Sequence, residues 1–458
     1  MDRSLLCISY RFPPQTYPLA IRVKYFLNHL RREGWHIDAV TAAPEATSRE
    51  NLTAHHVPSR PPERLFRWMR TLRLDKLLDL LVWPDPFVFW GLPAYRKARH
   101  LLRTGRHDAI AVFMMPHSQG LVGLLLKRAT GLPLILNLND SLTCSDMNPS
   151  YPSRLHYRLA RALEDRYVQA ADAVVYVSRR NLERVRDRQP PEHHDKFHLI
   201  RRGATRPPTP QADASREANF RIVYTGGMGG WYKFLEDEPS PSLPERLYRA
   251  WQHFGTYSHA DLDPRTHSPV YVGRAVQRVF DRHPEWRGRI QIDVYGPTYP
   301  DDVVDAVLDT FGLHEMVHLH GPVPHQEALC RMAESDLLFM ALPDRLDGSP
   351  GGRISAKTYE YLMTDRPILA ALPPGENREY LRDKPGVHLA PPDGIDEMAD
   401  VIADHASSTF AGDPVTVDRS ALRSSLSSTA RARAFEEVLL DVLADEKPIG
   451  DPVPARDA

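Results

Sequence analysis

The sequence has few cysteines, almost no net charge and no long hydrophobic run. Cys7, Cys144 and Cys330 are its three cysteines in 458 residues. They lie far apart and form no metal-ligand cluster, and an odd count argues against a disulfide framework. Lysine and arginine number 58 against 59 aspartates and glutamates, a formal charge of −1. The total gives no global basic field to hold nucleic acid or an anionic membrane, so an anionic partner is expected to be recognised locally. No apolar span is long enough to cross a bilayer, and the run near the N-terminus is too short for a signal peptide. A cytoplasmic protein is expected.

What the sequence does have is bulk and alternation. A hydrophobic fraction of 42% can fill sizeable cores, and the length suits two or three domains. Leu5 to Ser9 reads as a buried strand, followed by a turn at Arg11-Phe12-Pro13-Pro14. Ile21 to Glu33 reads as a helix ended by Gly34, and His36 to Thr41 as the next strand. This strand–loop–helix–strand order is the signature of a doubly wound sheet. It recurs in strands at Ala109–Phe113, Pro133–Leu138, Ala173–Val177 and Phe197–Ile200, with helices at Gly120–Ala129 and Arg154–Gln169. Arg206 to Ala218 has no apolar period and reads as a linker. A second series follows, with strands at Arg221–Tyr224, Ile290–Tyr295, Val317–Leu319, Leu337–Ala341 and Pro367–Leu372.

The fold class is therefore α/β: two Rossmann-like doubly wound domains facing a cleft. Residues 1–206 form the first domain. Residues 219–425 form the second, with an insertion at 231–269. Residues 426–458 supply a closing helix and tail that pack back toward the first domain. Ligands in such sheets sit beyond the carboxyl ends of the strands, so the chemistry is expected in the strand-end loops.

Several residues stand out there. Gly348-Ser349-Pro350-Gly351-Gly352-Arg353 precedes a helix at Ser355. A glycine-rich loop at a helix start offers free N–H groups and a positive dipole end, which suits a diphosphate. Lys357 adds a compact cation, and Glu360, one turn on, shares its face. The plainer reading is an exposed Lys–Glu pair after a turn. Gly226, Gly227 and Gly229 follow the first strand of the second domain and would let backbone approach a phosphate; the plainer reading is a tight turn. Lys233, Arg274 and Arg353 are the candidate cations to neutralise such a diphosphate. His117 and Asp140 lie at strand ends of the first domain and are candidates for orienting a sugar or acceptor. Neither has metal-like spacing, so no metal is expected.

Two stretches remain. Arg64 to Leu81 is amphipathic, with arginines interspersed among Leu65, Met69, Leu72, Leu77 and Leu81. It suits a lipid-linked acceptor or peripheral contact with a membrane's inner face, and equally a helix packed on its own domain, which is the preferred reading. The insertion carries Trp231, Tyr232 and Trp251, residue types that stack on sugar faces. It is expected to fold over the cleft mouth and help select the acceptor.

Read in order, further segments carry a family likeness: Phe12-Pro13-Pro14 with Arg22, Trp83-Pro84-Asp85-Pro86, Pro116-His117-Ser118, Asn139-Asp140-Ser141, Leu163-Glu164, Val177-Ser178, Ile200-Arg201-Arg202-Gly203 and Gly321 to His325. The most specific is Arg353 to Leu362. Together they resemble the retaining GT-B glycosyltransferases of family four, over roughly Leu5 to Leu443. The resemblance implies a hexosyltransferase that takes a sugar from a UDP- or GDP-sugar with retention. No metal and no cofactor beyond that nucleotide-sugar co-substrate is implied; the acceptor is a sugar, a lipid-linked or a small molecule. Glu360 would hold the ribose hydroxyls. Two departures stand against the pattern. Gly352 occupies the place of a glutamate that contacts the donor sugar in many members, leaving that contact to the backbone of Gly351 and Gly352 or to residues elsewhere. Gln15-Thr16-Tyr17 replaces a glycine pair after Pro14. A sugar-nucleotide epimerase, or a catalytically silent binding protein on this fold, are the rival readings.

Overall fold

The computed structural model describes residues 3–15, 17–146, 149–208, 219–230, 234, 242–297 and 301–445. The first domain runs β1 (Ser4–Ile8), α1 (Pro18–Arg32), β2 (His36–Thr41), β3 (Leu52–His56), α2 (Glu63–Thr71), α3 (Asp75–Leu81), α4 (Val88–Thr104), β4 (Ala109–Met114), α5 (Gln119–Thr130), β5 (Leu134–Leu138), β6 (Ser150–Tyr151), α6 (Arg154–Ala170), β7 (Ala173–Tyr176), α7 (Arg179–Arg186) and β8 (Phe197–Leu199). Its sheet has seven strands in the order β3-β2-β1-β4-β5-β7-β8, every pair parallel. β4 and β5 are buried at every position, as strands covered by helices on both faces must be.

The second domain runs β9 (Phe220–Thr225), α8 (Leu243–His253), β10 (Tyr257–Ser258), β11 (Leu262–Asp263), α9 (Val270–Arg282), β12 (Ile290–Tyr295), α10 (Asp301–Phe311), β13 (Val317–Gly321), α11 (His325–Glu334), β14 (Leu337–Ala341), β15 (Asp344–Arg345), α12 (Ala356–Leu362), β16 (Ile368–Ala371), α13 (Glu376–Leu381), β17 (Val387–Ala390) and α14 (Ile395–Phe410). Its six parallel strands take the order β13-β12-β9-β14-β16-β17. The winding reverses between β9 and β14, and a doubly wound sheet binds its ligand at that switch point. α15 (Ser420–Leu426) and α16 (Ser428–Asp445) follow. α16 returns to the first domain, where Phe435 stacks on Phe26 of α1 with ring centroids 4.6 Å apart.

Three features differ from the sequence reading. Arg64 to Leu81 is not one helix: α2 and α3 are separated by a turn in which Arg73 has φ +57°. Met69 faces inward, while Trp68 and Leu72 stay exposed. β3 and α4 were not expected, because β3 reads Leu-Thr-Ala-His-His and α4 carries Pro93 inside it. The insertion also crosses between domains. β10 pairs with β6 of the first domain, Lys76 of α3 donates to the Gln252 carbonyl at 3.0 Å, and Tyr248 donates to Asp75 at 2.7 Å. Trp231, Tyr232 and Lys233 lie outside the described residues.

One carboxylate ties the sheets together. Glu376, 4% exposed, stands at the start of α13 and reaches the N-terminus of α7. It accepts from Ser178 Oγ (2.6 Å), the Arg179 and Arg180 N–H groups (2.8 and 2.9 Å) and Arg201 Nη1 (2.6 Å). Ser178 is the N-cap of α7, so an anion meets a positive helix end and an arginine together. Beside it, the buried pair Arg345–Asp146 spans the same boundary at 2.5 Å.

Removing one partner of a buried charge network leaves the others uncompensated, typically at a cost of about 3 kcal/mol. Glu376→Ala is therefore expected to lower the urea midpoint by a corresponding amount and to raise the radius of gyration in X-ray scattering. Unchanged values for both would mean that the contact does not hold the domains.

Candidate active site

The loops at the carboxyl ends of β9, β12, β13 and β14 face α1 and the β5 loop of the first domain across a cavity of about 490 Å³. From the second domain the wall includes Thr225 and Gly226, Tyr295 to Pro297, Pro322 to His325, Arg353 to Lys357, and Glu360. From the other side it includes Ile21, Arg22, Tyr25, Asp140, Arg202 and Gly203, with Ser428 and Arg431 of α16.

Gly226 adopts φ +106°, and a Cβ there would lie 3.0 Å from Lys357 Nζ. The glycine thus lets the ammonium approach the loop. Lys357 Nζ also rests 4.5 Å above the ring of Tyr224, whose hydroxyl pairs with His267 Nε2 at 3.0 Å. Burial, with Arg353 beside it, brings Lys357 down to about 8. Arg353 is lowered mainly by burial too, with Asp140 and Asp146 opposing that shift. Burial pushes His267 down to about 3, so it stays neutral behind the cations. Lys357 and Arg353 thus set two buried cations side by side on the cavity wall, an arrangement that favours an anion.

Glu360 accepts from His325 Nε2 at 2.9 Å, and this bond raises the histidine. Asp140 is positioned by the carboxylate of Glu164, which has no exposed surface. Glu164 accepts from Ser141 Oγ (2.7 Å), the Leu142 N–H (2.8 Å), Thr143 Oγ1 and Arg188. Although burial opposes ionisation, Arg188 and the hydroxyls hold Glu164 below its ordinary range. The loop carrying Asp140 is thus fixed by a buried anion.

Other expected residues take different places. His117 is off this wall; its Nδ1 is buried without a partner, and its carbonyl accepts from Tyr167 at 3.0 Å. Arg274 is exposed on α9, and Trp251 lies on α8, away from the wall. Gly227 packs against Pro297, with a virtual Cβ 3.2 Å from it, while Gly229 is half-buried and is not among the residues that line the cavity. Gly351 and Gly352 stand at the domain boundary. A Cβ on Gly352 would lie 2.2 Å from Asn181 Oδ1, and one on Gly351 2.6 Å from Asp146 Oδ2. Glutamate therefore does not fit at 352 while the domains sit this close. The Gly351 N–H and carbonyl are both taken, by Pro374 and Glu376, which removes them as sugar contacts in this arrangement.

Arg202, His325, Ser428 and Arg431 join the wall although no role was expected of them. Arg202 and His325 fall within segments that carry the family likeness. Nothing local marks Ser428 or Arg431, since they arrive by the return of α16.

Residues 19–203 match a family described as the glycosyl transferase 4-like domain. No curated protein matches the chain. Sucrose-phosphate synthase from Thermosynechococcus elongatus has a similar structure at 14% identity, covering 97% of this chain and 100% of that one, with a TM-score of 0.60. A glycosyltransferase from Rickettsia africae is similar at 10% identity, 97% and 100% coverage and a TM-score of 0.57. HepE from Anabaena, solved with UDP-glucose, is similar at 14% identity, 96% and 99% coverage and a TM-score of 0.56. These likenesses show the fold across nearly the whole chain. The chain thus combines a match to the glycosyl transferase 4-like domain over residues 19–203 with the two-domain fold of these structures over nearly its whole length.

Proposed function

We propose that the chain transfers a sugar from a UDP- or GDP-sugar to an acceptor hydroxyl, with retention and without a metal. The observation that carries this reading is the placement of Lys357 against Gly226, with Arg353 on the same cavity wall, at the switch point of the second sheet. In this reading they neutralise the leaving diphosphate, the task a divalent ion performs elsewhere. Glu360 takes the ribose hydroxyls, exchanging its bond to His325 for them. The sugar lies between the domains, screened from water by the contact of Gly351 and Gly352 with the first domain. The acceptor hydroxyl approaches the face from which the diphosphate departs, with Asp140 on the opposing wall.

HepE has been solved with UDP-glucose, so UDP is the nucleotide to test first. Glu360→Ala is expected to weaken UDP by about tenfold or more, as loss of a charged hydrogen-bond partner does. Lys357→Ala should weaken it also. Wild-type affinity in both variants, read by calorimetry, would remove the assignment. Incubation with a panel of nucleotide sugars separates transfer or slow hydrolysis from epimerisation and from binding alone.

The lowered Lys357 sets a pH dependence. The protonated ammonium is the form that attracts diphosphate, so affinity should hold below pH 8 and decline above it. Binding near pH 8 should take up a proton, visible as a buffer-dependent enthalpy. Lys357→Arg, charged throughout, should flatten the decline; a flat wild-type profile from pH 7 to 9.5 would contradict the role. Turnover is expected to survive excess EDTA, and a loss restored by Mg²⁺ or Mn²⁺ would overturn the metal-free mechanism.

A further inference from the structure

We propose that the same cavity binds a second anion, a phosphate group carried by the acceptor, between Arg202, Arg431 and Ser428. The proposal rests on the reading that Lys357 and Arg353 serve the donor diphosphate. Ser428 is 7% exposed and lines the cavity, yet its Oγ has no hydrogen-bond partner. Arg431, one helical turn on, has a buried Nε that is also without a partner. Ser428 is the first residue of α16, an 18-residue helix, so the positive end of the helix dipole faces the same space. The Ala430 N–H is capped by Ser427 Oγ, which leaves the Ser428 hydroxyl uncommitted. Gly203 makes this meeting possible: a Cβ there would lie 2.6 Å from the Ser428 Cα. Arg202 is thereby set beside α16.

Charge matching points the same way. The wall carries Arg22, Arg202, Arg353, Lys357 and Arg431 against Asp140 and Glu360. Arg22 is already committed to the carbonyls of Ile200 and Arg201 and to Asn137. Burial, then Arg202 and Arg431, lowers it to about 9, so the three cations feel one another. Glu360 is held by His325, and Asp140 acts on Arg353. A donor diphosphate meets Lys357 and Arg353. Arg202 and Arg431 are left without an ion pair among the described residues. Two guanidinium forks and a free hydroxyl, set at the positive end of α16, suit the several acceptor oxygens of a phosphate. Their place on the first-domain side, opposite the donor loops, makes that phosphate the acceptor's. A sugar phosphate and a lipid-linked phosphate present the same group.

Calorimetry on the full chain saturated with UDP tests this, with inorganic phosphate, a hexose 6-phosphate, a short prenyl phosphate and the unphosphorylated hexose as probes. At least one phosphorylated probe should bind beside UDP, and the plain hexose should bind at least about tenfold more weakly. The tighter of the hexose and prenyl phosphates identifies the source. Arg431→Gln and Ser428→Ala should each weaken the phosphate probe by about fivefold or more, with UDP affinity changed less than twofold and Arg431→Lys retaining most of it. Competition between phosphate and UDP for one site, or equal losses of both in Arg431→Gln, would make these residues part of the donor site and overturn the proposal. Unchanged phosphate binding in the variants would leave Arg202 and Arg431 as solvated wall and overturn it also. If UDP itself does not bind, the donor reading falls, and the phosphate titration repeated without UDP still decides the subsite. Should Arg431→Gln fail to fold, Ser428→Ala and the competition experiment on the wild-type chain remain decisive.

Discussion

The carboxylate of Glu376 belongs to the second domain by sequence but finds its partners in the first. Anchored on a helix N-terminus and an arginine, it fixes how close the two sheets come. That separation decides much else. It presses Gly352 onto Asn181 and Gly351 onto Asp146, encloses the cavity between α1 and the second-domain loops, and keeps Arg353 within the field of Asp140. Glycine at 351 and 352 is a consequence of packing here. A side chain at either position would hold the domains apart, so glycine at 351 and 352 and the tight boundary are one structural fact.

Behind the cavity, electrostatics are arranged in layers. Neutral groups, Tyr224 and His267, support Lys357 from below, so its charge is directed outward. A buried anion, Glu164, holds the loop of Asp140 without competing for the cavity's cations, because Arg188 already balances it. The wall therefore stays rich in positive charge. The overall charge of −1 is the sum of two unequal parts: residues 1–206 carry 33 lysines and arginines against 19 aspartates and glutamates, and the rest carry 25 against 40. Within the cavity, anion recognition comes from where a few arginines and one lysine are placed.

The sheets were legible because their strands are covered on both faces. Runs such as Ala-Ile-Ala-Val-Phe-Met at β4 are apolar throughout, and helices like α1 show Leu19, Val23, Phe26, Leu27 and Leu30 at helical spacing. Edge elements were not legible: β3 mixes Thr and His into a strand paired on one side only, and Pro93 masks α4. In the site, Gly226, Arg353, Lys357, Glu360 and Asp140 could be read from strand-end position and local motif. Ser428 and Arg431 could not, since their place depends on a helix folding back across some four hundred residues of sequence to meet α1. The contact of Glu376 with α7 is likewise invisible locally; a glutamate before a short helix has no sequence mark that tells which domain it will cap.

The insertion ties the two halves together apart from the direct chain passage between β8 and β9. Its β10 pairs with β6, and its α8 packs on α3, although both segments depart from and return to the second sheet. Any movement that pulls Gly352 away from Asn181 must also peel this tether from the first domain or stretch it. A domain opening would then be no free swing about a hinge: it would break the hydrogen bonds of Lys76 and Tyr248 and the short Tyr257–Tyr151 ladder, a local unfolding cost that is steep in temperature. Exchange of ligands with solvent would then be governed by an element that contributes no residue, among those described, to the cavity wall.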